Sequence, residues 1–137
     1  MQSFNLKLVI TAAILLPSVF LIAEAPGNDP GWKAPASAVA KKNPLAKDPN
    51  AAKAGASTYA RTCSACHGQS GDAGLAGASN LQSPGVQAQS DGALEWKIAN
   101  GNMSKGMPAF GSIDQTKRWE LVRYIRTLKP GKTAAAH

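Results

Sequence analysis

From residue 51 onward, apolar positions recur at helical spacing. The Ala-rich stretch Ala51 to Thr62 sets Gly55 and Tyr59 four apart, on one face of a predicted helix. A second helix runs through Leu94, Trp96 and Ile98, capped by Ser90 or Asp91 and stopped by Asn100-Gly101. Asp114 caps a third, from Gln115 to Leu128. Its Leu121, Tyr124, Ile125 and Leu128 follow the i, i+3, i+4, i+7 stripe, and Pro130 ends it. Between the first two lies a loop carrying Gly71, Gly74 and Gly77. No segment alternates as a strand does. The pattern predicts an all-α domain over residues 51–130, about three short helices joined by long loops.

Ahead of residue 51 the pattern changes twice. Leu8 to Ala23 is apolar apart from Thr11 and Ser18, Lys7 supplies a positive flank, and Ala23-Glu24-Ala25 has the small-x-small form that signal peptidase reads. Pro17 interrupts the run, Pro26 would follow the cut, and the run is shorter than the ~20 residues of a spanning helix. Residues 1–25 are therefore a cleaved signal peptide or a retained N-terminal membrane anchor. Either way the chain is expected outside the cytoplasm, in the periplasm. Residues 26–50 carry Pro26, Pro30, Pro35, Pro44 and Pro49 with little hydrophobic periodicity, which predicts a semi-extended linker arm and no element of a core. Trp32 is its one large apolar group and a candidate to dock on the folded domain. Residues 131–137 read as a disordered tail.

Composition narrows the picture. The 137 residues include 44% hydrophobic types and two cysteines, enough for one domain and at most one disulfide. The glycines and prolines fall mainly in loops, which excludes a Rossmann sheet or a (β/α)₈ barrel. Three short helices bury too little surface to hold together alone, so the domain needs a non-protein staple.

Cys63-Ser64-Ala65-Cys66-His67 supplies one. This is C-x-x-C-H, the attachment signal for c-type haem. Each thiol adds to one haem vinyl group, and the histidine that follows turns under the ring to bind iron. From composition, the pattern arises by accident roughly once in 5,000. A thioredoxin-like pair would want a βαβ pattern, which is missing. Zinc would want four ligands, and the second histidine is His137 in the tail. A disulfide across two intervening residues would close too small a loop to stabilise much.

The sixth iron position decides between electron transfer and chemistry on a bound gas or peroxide. The thioethers at hand are Met103 and Met107. Met107 lies in Gly106-Met107-Pro108-Ala109-Phe110, where Gly106 lets the backbone approach the haem and Pro108 stiffens the loop. A preset loop matters because the iron–thioether bond is weak. Met107 is the favoured ligand. Met103 lacks those neighbours, and an open site with both methionines merely packing the haem edge is the remaining alternative.

The sequence resembles the class I mono-haem c-type cytochromes of bacteria. The resemblance rests on Gly55-x-x-x-Tyr59-x-x-x-Cys63-x-x-Cys66-His67-Gly68, on Gly106-Met107-Pro108-Ala109-Phe110, and on Trp119-x-x-Val122-x-Tyr124-Ile125-x-x-Leu128. The arm Trp32-x-Ala34-Pro35-Ala36 with Asn43-Pro44 is similar to the leader of some periplasmic members. The resemblance implies a small cytochrome c fold wrapped around one covalent haem c, with His67 proximal and Met107 distal. It also implies that the N- and C-terminal helices cross nearly at right angles, Gly55 and Tyr59 against Leu121 and Tyr124. Members usually carry a proline after the haem motif whose carbonyl accepts the proximal histidine's Nδ1–H. Gly71-Asp72-Ala73-Gly74-Leu75 has none, so that role is expected of a backbone carbonyl near Leu75.

Two strong-field ligands keep iron six-coordinate in both oxidation states. The soft thioether, with burial by Leu94, Ile98 and Phe110, raises the potential. The expected function is a one-electron carrier, not an enzyme, in a periplasmic respiratory or dehydrogenase-linked chain. Alternatives are a haem c subunit fixed within a multi-subunit oxidoreductase, and a ligand-binding protein with an open iron site. The formal net charge is +7, and the excess concentrates late in the chain, in Lys97, Lys105, Lys117, Arg118, Arg123, Arg126, Lys129 and Lys132. A solvated surface accounts for much of this, and nucleic acid is an implausible partner for an exported haem protein. A basic region including Lys105 around the haem edge would favour redox donors and acceptors with acidic docking sites. A retained N-terminus would add a membrane tether.

Overall fold

A computed structural model of the chain describes residues 31–128. The expectations for residues 1–30 and 129–137 lie outside the described residues, including the export signal and the tail.

Among the described residues six α-helices follow one another: α1 (Ala36–Val39), α2 (Ala51–Thr62), α3 (Ser64–His67), α4 (Pro84–Gln87), α5 (Asp91–Asn100) and α6 (Gln115–Ile125). A 3₁₀ turn at Met103–Lys105 separates the last two, and the β-pairing among the described residues is a single bridge, Asn102 to Met107. This all-α, loop-linked architecture is the one that the cytochrome c resemblance implies.

The three long helices stand where the periodicity puts them. Helix α5 is capped by Ser90, whose Oγ accepts the Ala93 N–H at 3.1 Å, which frees Asp91 to pair with Arg126 at 2.8 Å. Helix α6 is capped by Asp114, which accepts the Thr116 N–H at 2.8 Å. It ends earlier than expected. After Ile125 the chain tightens into i→i+3 bonds, Thr127 N–H to Tyr124 O and Leu128 N–H to Ile125 O.

Helices α2 and α6 make the most extensive helix–helix contact. Gly55 permits it, because a Cβ there would overlap the Glu120 carbonyl. One turn on, the Tyr59 and Tyr124 rings meet at 4.9 Å, tilted by 52°. Tyr59, Leu121 and Val122 are fully buried at this crossing, and Val86, Leu94, Ile98, Trp119 and Ile125 complete the core.

The proline-rich stretch departs from its expectation. From residue 31 it is packed onto the domain, and it contributes to the interior. Ala38 is buried, and Ser90 Oγ donates to the Val39 carbonyl at 2.8 Å. Asn43, also buried, donates through Nδ2 to the Trp119 carbonyl at 3.1 Å. The physical reason is that Pro35 opens a helical turn as readily as it opens an extended run.

Candidate haem-binding site

The helices enclose a cavity of about 660 Å³, within the ~300–1,000 Å³ range of cofactor sites. Cys63, Cys66, His67 and Met107 all line it. Apolar side chains from every long helix supply the walls: Tyr59 from α2, Leu94 and Ile98 from α5, Leu121 and Ile125 from α6. Phe110, Leu81 and Val86 close the remaining sides.

Cys63 ends α2 and opens α3, so the motif occupies a single helical turn. That turn is held by His67 N–H to Cys63 O at 2.9 Å. Both thiols are free, Cys63 half-buried and Cys66 exposed. Burial, and after it the neighbouring Cys66, pushes the Cys63 thiol up to about 11. At neutral pH it therefore carries its proton.

His67 is oriented by its Nδ1, 2.9 Å from the Ser79 carbonyl. A carbonyl can only accept, so Nδ1 is the protonated nitrogen and Nε2 keeps its lone pair for a metal. The acceptor is Ser79, not a carbonyl near Leu75 as expected. Leu75 is committed on both sides, its N–H to Cys66 O at 2.9 Å and its carbonyl to Ala78 N–H at 3.0 Å. The turn so formed carries the chain past Leu75 and presents Ser79 to the ring. No side-chain signal could have named this residue.

The structure separates the two methionines. Met107 lines the cavity, whereas Met103 does not and is 74% exposed. The Met107 loop is pinched at its base by Asn102 N–H to Met107 O at 2.8 Å and Met107 N–H to Asn102 O at 3.0 Å. Gly101, at φ +64°, lies so close to the Pro108 backbone that a Cβ would collide with it. Phe110 N–H to Ile98 O, at 3.0 Å, ties the far end of the loop to α5.

Tyr59 joins this frame from below. Its hydroxyl donates to the Gly68 carbonyl at 2.7 Å, bracing the backbone just after His67. Burial holds the phenol well above its ordinary value, with smaller contributions from Cys63, Tyr124 and Asp72.

The late-chain cations are divided by the fold. Arg118 Nε pairs with the buried Glu95 at 2.8 Å and reaches the carbonyls of Gly111 and Ile113, while Arg126 is taken by Asp91 and the carbonyls of Gln87 and Gln89. The cations that line the cavity are Lys97 and Lys105.

The residues present fit a covalent haem: two thiols on one turn, an oriented imidazole, a thioether lining the same cavity, and apolar walls. No curated protein matches the chain. Residues 50–125, more than half of the chain, match the family described as cytochrome c oxidase, cbb3-type, subunit III. The chain thus belongs to this family of c-type cytochromes, and it is a mono-haem electron-transfer protein with covalently bound haem c and its iron.

Proposed function

We propose that the protein is a one-electron carrier in a periplasmic respiratory or dehydrogenase-linked chain, with Cys63 and Cys66 attaching the haem and His67 and Met107 as axial iron ligands. The observation that carries this is the convergence of these four side chains on one cavity. When bound, haem iron supplies the Fe(III)/Fe(II) couple. The chain's residues keep that change cheap. Ser79 fixes the imidazole, the pinched loop presents the thioether, and the apolar walls exclude water. With His67 and Met107 both holding the iron, the protein would supply the same ligands in either oxidation state, and little would have to move on electron uptake.

Export follows from this reading, through residues 1–25, and thioether attachment fits an exported chain. Among the described residues no helix is long and apolar enough to cross a membrane. Lys105, exposed at the cavity and next to the Met107 loop, favours a partner with an acidic docking site.

Stopped-flow reduction of an acidic acceptor by the holoprotein tests the carrier role. The second-order rate should fall steeply between low and physiological ionic strength, as the Debye length shortens to ~10 Å or less. A flat rate would remove the docking proposal. The family match favours a second reading, a haem c subunit fixed within an oxidase. Gel filtration of gently solubilised native protein separates the two. A carrier elutes at its own mass, and a subunit elutes with its complex.

A further inference from the structure

Trp32 brings to the haem cavity an indole N–H for which the described residues offer no acceptor. Its ring lines the cavity, and its Nε1 is sealed from solvent without a hydrogen-bond partner among the described residues. Such atoms are rare, because they give up a bond to water and receive nothing in return. On the same ring sits a charge, Lys97 Nζ, 4.7 Å from the indole centroid.

The side chains lining the cavity are electrically one-sided. Lys97 and Lys105 are the cations, and no aspartate or glutamate is among the described residues that line it. Such a cavity is built for a group that carries negative charge at some point on its rim. Haem c has its vinyl groups consumed by the cysteines and its pyrrole nitrogens on iron. Its remaining hydrogen-bond acceptors are the oxygens of two propionate carboxylates.

We propose that Trp32 Nε1–H donates to a haem propionate and that Lys97, held on the face of the same indole, supplies the counter-charge. The inference rests on the reading that Cys63 and Cys66 hold haem in this cavity. The proline-rich arm is then part of the haem site, a strap over the propionate edge. Its anchors lie just downstream of Trp32, in buried Ala38 and in Asn43 bound to the Trp119 carbonyl. A donor on a propionate withdraws negative charge from the neighbourhood of the iron, which disfavours the ferric state. Trp32 is thereby a positioning residue that also raises the potential.

The test uses the holoprotein. Wild-type chain is first assayed for covalent haem by its pyridine haemochrome spectrum. Its absence there would sink the underlying site reading, whatever Trp32 does. Trp32→Phe keeps a ring beneath Lys97 and removes the N–H. Its ferrous-to-ferric equilibrium against a fixed mediator should shift several-fold toward ferric at unchanged haem content. Trp96→Phe, at a half-buried position that does not line the cavity, should leave the equilibrium where it is. An independent readout needs no variant to fold: in ¹⁵N-indole-labelled wild-type holoprotein, the Trp32 N–H should be strongly protected from solvent exchange. An unchanged equilibrium in Trp32→Phe, or an indole N–H exchanging as fast as an exposed one, overturns the proposal.

Discussion

At the scale of single residues, two methionines of one loop, of which the sequence favours Met107, end up in opposite environments. Met107 faces the cavity and Met103 faces solvent. Met107→Ala should abolish the weak sulfur-to-iron band of the ferric protein and lower its potential, while Met103→Ala leaves both intact. Near-infrared absorption and redox titration decide it, and the reverse pattern would exchange the two roles. Tyr59 makes a different prediction. Burial holds its proton tighter in the folded chain, so the folded state binds more protons than the unfolded one above the ordinary tyrosine value of ~10. Stability from this source is intact below pH ~10 and is lost as pH rises beyond it. Tyr59→Phe should cost about 1 kcal/mol at neutral pH through the lost bond to Gly68. It should also flatten part of the alkaline loss, as read by guanidine unfolding at neutral and alkaline pH. Residue chemistry was legible where side chains carry it, as in Cys63, Cys66 and His67. It was illegible for Ser79, which acts through its carbonyl, and for Trp32, whose role depends on where the arm lies.

At the scale of elements, the crossing of α2 and α6 is the joint on which the cavity depends, because Tyr59 and Leu121 line it from either side. Gly55→Ala would drive a methyl into the Glu120 carbonyl, backbone that cannot swing aside. The expected cost is about 1–3 kcal/mol or more, seen as a lower guanidine midpoint, and Ala at the neighbouring exposed Ser57 should cost far less. The long helices α2, α5 and α6 were readable because two or more turns let a hydrophobic stripe and a cap register. The one-turn helices were not, since four residues cannot display a period. Tertiary bonds make them. Gln87, in α4, donates to the carbonyls of Leu81 and Ile125 at 2.6 and 3.0 Å, and Ser90 holds α1 from outside.

At the scale of the whole molecule, the apolar walls surround a space rather than one another. A chain with a hollow of this size at its centre forfeits the burial that should offset its conformational entropy. Cys63→Ser with Cys66→Ser, expressed without haem attachment, should show little helix by circular dichroism and no cooperative thermal transition. A helical, cooperatively melting apo chain would mean that α2, α5 and α6 suffice by themselves. The arm from residue 31 extends this dependence, since Trp32 lines the same space. The pinch between Asn102 and Met107 has a consequence for exchange at the iron. With Met107 as the proposed iron ligand, losing the bond to sulfur would not unravel a loop closed on itself, and the thioether would stay beside the metal. Its effective concentration there would stand above the millimolar order typical of short flexible tethers. Imidazole, cyanide or peroxide at micromolar levels would have to win the vacated position against a competitor that never diffuses away.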